Sequence, residues 1–225
     1  MAFLLENVVP WGRTQQEYIK MFALSEVDLR KKIAGFGDGP ASFNVESTAA
    51  GLDVVSLDIV YQFSKDEIES QIYETKEIVM RQTKLNMQNY IWSDIKNLAD
   101  LEQTRMKAMR LFLQDYDKGK EEKRYIHHEL PKKTAYADYT FDIGLSSHFL
   151  LMYTALGYDF HIQSIDEMLR ICREIRITPI VDLDGNPKEL TEKVINHYKN
   201  NYHVEIVETP YIFLKNGNKM LCISK

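Results

Sequence analysis

The spacing of apolar positions changes several times along the chain, and each change predicts an element. Residues 31–34 (KKIA) read as a short strand, and the apolar DVVSL at 53–57 reads as a second, ending at Asp58. Between them come a glycine-rich turn at 34–40 and a helical stretch at 41–50, with Pro40 suited to the first turn and Gly51 to the C-terminal cap. Strand, glycine turn, helix and strand within about thirty residues make a βαβ unit.

The next segment loses the strand pattern. Residues 64–84 and 98–118 are rich in helix formers, Ser64 with Glu67 forms a capping box, and Gly119 is placed to end the second helix. Ile68, Ile72 and Val79 share one face of the first helix; Leu101, Ala108, Leu111 and Phe112 do so more loosely in the second. Tyr73, Met80 and Met87 recur every seven residues and read as a packing stripe. The segment 64–124 carries twelve basic and twelve acidic residues, so it reads as a neutral inserted helical hairpin rather than an electrostatic arm.

Alternation then resumes. Strands are expected at 124–127, 141–145 and 175–181, the last with a late or bent end at Pro179. Helices are expected at 159–174, with Ile165, Met168, Leu169 and Cys172 on one face, and at 189–200. Two short strands, 204–207 and 220–223, with the loop KNGNK at 215–219, suggest an antiparallel closing pair. The whole predicts one α/β domain, a three-layer αβα sandwich over 1–225, with the helical insertion 64–124 as a lid.

Composition narrows the class. The chain has 225 residues, 44 % hydrophobic and 27 % charged, which suits one globular domain. With 33 acidic against 28 basic residues, the balance weighs against a nucleic-acid binder held by phosphate contacts. The longest apolar run considered for a span, 149–153, is far too short to cross a membrane. The first ten residues lack a basic flank and contain Glu6, so a secretory signal is not expected and a cytoplasmic location is. Cys172 and Cys222 sit in apolar patterns without CxxC spacing, which argues against a disulfide scaffold or a cysteine zinc site.

The glycine turn carries the sharpest chemistry. Gly35, Phe36, Gly37, Asp38 and Gly39 follow a strand, where glycines let a ligand approach main-chain N–H groups. Asp58, nineteen residues beyond Gly39 at the tip of the next strand, is placed to accept hydrogen bonds from ribose hydroxyls, though a turn or N-cap role would also suit it. The dinucleotide pattern G-x-G-x-x-G/A is not met: the sixth position from Gly35 is Pro40, and Asp38 would oppose a pyrophosphate. A nicotinamide-dependent oxidoreductase is therefore disfavoured, and the missing Gly-Lys-Ser/Thr disfavours a nucleotide phosphate loop. G-x-G-x-G suits a phosphate-free, cationic cofactor, S-adenosylmethionine.

The turn, Asp58, the strand at 141–145 and the late closing strands resemble the class I S-adenosylmethionine-dependent methyltransferases. The likeness is nearest to bacterial members of uncertain substrate, through Trp11, Glu17, Tyr18 and residues 21–24 (MFAL), and through GDGPASFN at 37–44. It implies a Rossmann-like, mostly parallel seven-stranded sheet with an antiparallel closing strand. It also implies methyl transfer with S-adenosylhomocysteine as product, and the acidic balance, which disfavours RNA or DNA, makes a small-molecule acceptor the expectation. Under it, the glycines would line the cofactor, Asp58 would hold the ribose and Ile59 would flank the adenine. His128 and Glu129 would lie near the adenine edge, and Ser146 and Ser147 beside the methionine part. One departure stands out: Ile33 occupies the place, two before the first glycine, that is usually acidic, and Asp38 is the acid available to replace it. A methyltransferase-like domain that binds without catalysing is the alternative this departure keeps open.

The remaining residues are read by position. His148, after the fourth strand, suits a proton acceptor, with Tyr153 assisting; a buried, hydrogen-bonded histidine is the plainer alternative. Trp11 and Tyr18 are expected to close over the site and Arg13 to meet a carboxylate of cofactor or substrate. Residues 127–129 (HHE) invite a metal reading, but adjacent strand residues point to opposite faces, so no metal site is expected. His161, His197 and His203 read as surface residues. Residues 146–149 (SSHF) differ from the Asn/Asp-Pro-Pro-Tyr arrangement that orients planar amino groups, which disfavours adenine or glutamine as acceptor.

Overall fold

The computed structural model describes residues 10–225; the signal-peptide expectation, which turns on the first ten residues, falls almost wholly outside them. Helix α1 (Gln15–Met21) and the short α2 (Glu26–Leu29) lead into strand β1 (Ile33–Phe36). The turn and α3 (Phe43–Ala49) return the chain to β2 (Val54–Asp58), which is the βαβ unit expected from the glycine spacing. Two long helices follow, α4 (Lys65–Leu85) and α5 (Leu98–Glu121), then β3 (Tyr125–His127). The last third holds β4 (Phe141–Ser147), α6 (Tyr158–Ile171), β5 (Cys172–Thr178), α7 (Glu189–Tyr198), β6 (His203–Glu208) and β7 (Lys219–Ser224).

The seven strands form one sheet in the order β3-β2-β1-β4-β5-β7-β6. Strands β1 to β5 pair in parallel, whereas β7 runs antiparallel to both neighbours and wedges between β5 and β6. The chain winds from β1 outward to β3 and then crosses to β4 on the other side of β1, so strand order reverses between β1 and β4. At such a reversal the loops diverge and leave a crevice at the carboxyl ends of the strands. Apolar residues fill both faces of the sheet. Ile33, Val54, Ile143 and Leu145 pack under Tyr18, Met21, Phe22 and Phe43. Ala34, Phe36, Ile175 and Ile177 pack under Ile165, Met168 and Val194 on the other face.

Several local expectations change. Gly119 lies inside α5 rather than ending it, because the Tyr125 ring packs so close that a Cβ there would be 2.4 Å from Cε2. Cys172 opens β5 instead of closing the preceding helix, with no intervening loop, and β5 stops at Thr178, directly before Pro179. The buried face of α4 is Ile68, Ile72, Thr75, Val79 and Thr83, while Tyr73 and Met87 are exposed, so the seven-residue stripe is not the packing face. His161 is fully buried: its Nδ1 accepts from the Leu151 N–H and its Nε2 lies 3.3 Å from the Tyr153 carbonyl.

The two insertion helices differ in depth. Helix α5 is the crossover between β2 and β3, and its Met109, Phe112 and Tyr116 bury against Tyr61 and Tyr125. The connection after α4 instead reaches across the molecule. The Ile91 N–H donates to the Phe213 carbonyl at 2.7 Å, and the Lys215 N–H donates to the Asn89 carbonyl at 2.9 Å. Tyr90 stacks on Phe213, with Trp92 edge-on to the same ring. This roof stands over the carboxyl ends of the strands. No helix among the described residues is long and apolar enough to cross a membrane.

Candidate functional site

The crevice at the strand ends holds two cavities with a common wall. The first is lined by Gly37, Asp38 and Gly39 after β1, Asp58 and Ile59 after β2, and Ser147 and His148 at the end of β4. The N-terminal segment closes it with Trp11, Arg13 and Tyr18. The second lies beneath the roof and shares Trp11, Arg13 and His148 with the first. Its other walls include Tyr153, Arg105, Tyr90 and Phe213.

The glycine turn is shaped by two close approaches. A Cβ on Gly35 would stand 1.8 Å from Oδ2 of Asp38, so the missing side chain is what lets the Asp38 carboxylate fold back over β1. Gly37 has φ of +71° and faces the Phe149 ring, where a Cβ would come within 2.7 Å. Asp38 accepts from the Tyr18 hydroxyl at 2.8 Å and the Ser56 hydroxyl at 2.6 Å. Asp58 accepts from the N–H of Gly39 at 2.7 Å and of Val60 at 2.8 Å, so it ties the turn to β2 and also caps the short 3-10 turn that follows. The Tyr61 hydroxyl completes the brace by donating to the Gly39 carbonyl.

These carboxylates are costly to charge. Burial pushes Asp38 up to about 6, against the pull of the Ser56 and Tyr18 hydrogen bonds, and the neighbouring Asp58 charge pushes the same way. Burial raises Asp58 too, opposed by its two backbone N–H donors. The opposite sign prevails across the shared wall. Arg13 donates through Nη1 to the Trp11 carbonyl, and its buried Nε has no partner among the described residues. Burial, reinforced by the charge of Arg105, lowers Arg13 to about 10. Arg105 is fully buried, with Nη1 2.6 Å from both carboxylate oxygens of Glu17. Burial alone would raise Glu17, but Arg105 overrides it and holds the carboxyl down at about 2.

His148 stands where the cavities meet. Its φ of +54° is unusual for a side chain other than glycine, and its N–H is held by the Thr178 carbonyl at 2.8 Å. Burial, then the charges of Arg13 and Arg105, hold the imidazole well below its usual value, so it is neutral. Its Nδ1 lies 2.9 Å from Oγ of Ser147, and that hydroxyl donates on to Sδ of Met21 at 3.9 Å. In the tautomer with its proton on Nδ1, that proton goes to Oγ of Ser147 and the Nε2 lone pair is free.

Ten of the residues singled out from sequence therefore converge on the first cavity: Trp11, Arg13, Tyr18, Gly37, Asp38, Gly39, Asp58, Ile59, Ser147 and His148. Tyr153 lies in the second. Five do not reach either wall. Gly35 and Phe36 are strand residues of β1, the phenyl ring buried in the core. Ser146 is fully buried in β4. The N–H of His128 donates to the Asp58 carbonyl, and Glu129 pairs with Lys132 at the surface, so neither faces the crevice. Among the described residues no group of three or more His, Cys, Asp or Glu is placed to hold a metal.

Sequence reasoning missed Arg105, its pairing with Glu17, and the roof. Thr14 with Glu17 is a legible capping box, but nothing local announces that Glu17 also binds a guanidinium 88 residues away.

A mostly parallel sheet that reverses order at β1 and β4, closed by an antiparallel β7, defines a Rossmann-like protein with the strand order of the class I methyltransferase fold. The chain belongs to one family with a Methanocaldococcus jannaschii protein described as the uncharacterized protein MJ0045, 35 % identical over 98 % of both chains. No protein-family model matches it. Among solved structures, the PH0226 protein of Pyrococcus horikoshii covers 93 % of this chain and 90 % of its own at 12 % identity and a TM-score of 0.48. A SAM dependent methyltransferase of Aquifex aeolicus covers 93 % and 87 %, at 12 % identity and a TM-score of 0.43.

Proposed function

We propose that the protein transfers a methyl group from S-adenosylmethionine to a small-molecule acceptor and releases S-adenosylhomocysteine. The observation that carries this reading is the pair of adjoining cavities at the strand ends, one built on the glycine turn and Asp58, the other under an aromatic roof, meeting at His148. The first cavity fits a phosphate-free, cationic cofactor: Asp38 and Asp58 in its wall would repel a pyrophosphate. When bound, S-adenosylmethionine supplies a methyl group on a sulfonium that needs no further activation.

What remains for the protein is alignment and the exclusion of water. Gly37 and Gly39 bring backbone to the ligand, and Asp58, with an unused lone pair on each oxygen, takes the ribose hydroxyls. Ile59 offers an apolar surface to the base. Neutral His148 accepts through Nε2 the proton of an acceptor hydroxyl or amine, with Tyr153 on the acceptor side. The roof from the α4–α5 connection keeps water from the second cavity, and α5 stays with the core.

Calorimetric titration with S-adenosylmethionine, S-adenosylhomocysteine and the nicotinamide dinucleotides tests this. Micromolar binding of the two adenosyl ligands alone is expected, and binding of a dinucleotide alone would overturn the assignment. Turnover with an acceptor is expected to fall about 10²–10⁴-fold in His148→Gln, with adenosyl binding retained.

A further inference from the structure

The second cavity has a charge imbalance that the cofactor does not use. Of its lining residues Arg13 and Arg105 are cationic, none is Asp or Glu, and His148 is neutral. Glu17 stands behind Arg105 and compensates one charge only. Among the described residues no carboxylate pairs with Arg13, and both guanidiniums keep a buried Nε without a hydrogen-bond partner. Leaving such donors buried and unmatched is costly unless a ligand satisfies them. Apart from Thr83, the rest of the wall is aromatic or aliphatic, with Trp11, Tyr90, Tyr153, Phe213 and Leu101.

We infer that this cavity takes an acceptor whose planar or apolar body carries an anionic oxygen group, a carboxylate or a phosphate, received by Arg13 and Arg105. The inference rests on reading the cavity as the acceptor side of a methyl transfer. The guanidinium fork suits both groups, since each offers two coplanar or near-coplanar oxygens to parallel N–H donors. Arg13 forms part of both cavity walls, whereas Arg105 belongs to the second alone, so the pair fixes the charge on the acceptor side. Burial first, and then the charge of Arg105, lowers the proton affinity of Arg13, and an anion paired with it opposes both effects.

The test measures binding of matched probes by calorimetry, with and without saturating S-adenosylhomocysteine: phenylacetate against phenylacetamide, and phenyl phosphate against phenol. At least one anion is expected to bind about tenfold or more tightly than its uncharged partner, and which one wins separates carboxylate from phosphate. Arg13→Gln is expected to weaken that anion by about ten- to a hundredfold, with Arg13→Lys between. The double variant Glu17→Gln with Arg105→Gln removes the second cation without stranding a carboxylate, and keeps the capping box, so its folding is preserved. It too is expected to abolish most of the preference.

Equal binding within each pair, no binding by either anion, or a preference that survives both variants overturns the inference. So does Arg13→Gln weakening S-adenosylhomocysteine as much as the anion, since Arg13 would then serve the cofactor. Failure of S-adenosylhomocysteine to bind defeats the methyl-transfer reading instead, and the probe preference measured without it still decides the charge of the cavity.

Discussion

Around the glycine turn the cavity wall carries Asp38 and Asp58, whereas beyond Trp11, Arg13 and His148 the adjoining wall carries Arg105 and no carboxylate. Both lie at the same end of one sheet, yet they are assembled differently. The acidic side comes from the ends of two consecutive strands, braced by backbone N–H groups and by Tyr18, Ser56 and Tyr61. The basic side is joined across the chain: Arg105 on α5 is fixed by Glu17 on α1 and by Tyr211 before β7. The lesson is that a local motif can set where one ligand binds, while what stands opposite it depends on contacts made only after folding.

The largest break in this comparison is expected from Glu17→Ala. It strands the buried Arg105 charge and removes the Glu17 half of the α1 capping box, and loss of one partner of a buried pair costs about 3–5 kcal/mol. Urea unfolding measures it; a loss below about 1 kcal/mol would mean that the ion pair does not hold the basic wall together. Asp58→Ala acts on the other side. Calorimetry is expected to find S-adenosylhomocysteine weakened about ten- to a hundredfold, a melting curve accounts for the two lost backbone bonds, and unchanged affinity would sink the ribose assignment.

Next in size is Gly35→Ala, which tests whether Gly35 serves the ligand or Asp38. The new Cβ meets the Asp38 carboxylate, an overpacking worth about 1–3 kcal/mol. Combining it with Asp38→Ala removes the colliding group, so the double variant is expected to lose much less than the two single changes added together. Additive losses would show that something other than Asp38 requires glycine there.

The difference in assembly also explains what could be read beforehand. The βαβ unit, Asp58 at its tip and the Ser64–Glu67 capping box depend on neighbours within a few residues or one supersecondary unit, and all three stand in the structure. Gly119 and Cys172 were misplaced because their environments are tertiary: a tyrosine ring from β3 and a helix that passes into a strand without a loop. His161, flanked in sequence by Phe160 and Ile162, faces inward on α6 and holds the loop that carries Tyr153. Net charge misleads in the same way. An acidic total of −5 reports on the surface and is silent about two arginines enclosed beside each other.

The smallest expected effect, and the one that separates the two walls most cleanly, is on the pH dependence of stability. Asp38 and Glu17 are both buried carboxyls, shifted in opposite directions. Asp38 is raised from 3.8 to about 6, so the folded state holds its proton more tightly than the unfolded chain does. Its contribution is fully present below 3.8 and is lost as pH rises through about 6. Glu17 is lowered from 4.5 to about 2, so its contribution is present above 4.5 and is lost only as pH falls through about 2. Between about pH 5 and about pH 7 Asp38 alone of the pair changes, and its share is on the order of 1 kcal/mol lost on going up. Urea midpoints of the wild type and Asp38→Asn at the two pH values isolate it, because every other titrating group is common to both. The asparagine variant is expected to lose less stability over this interval by about that amount. Parallel pH profiles would mean that the Tyr18 and Ser56 hydroxyls keep Asp38 ionised throughout, and the acidic wall would then carry its charge across the whole interval.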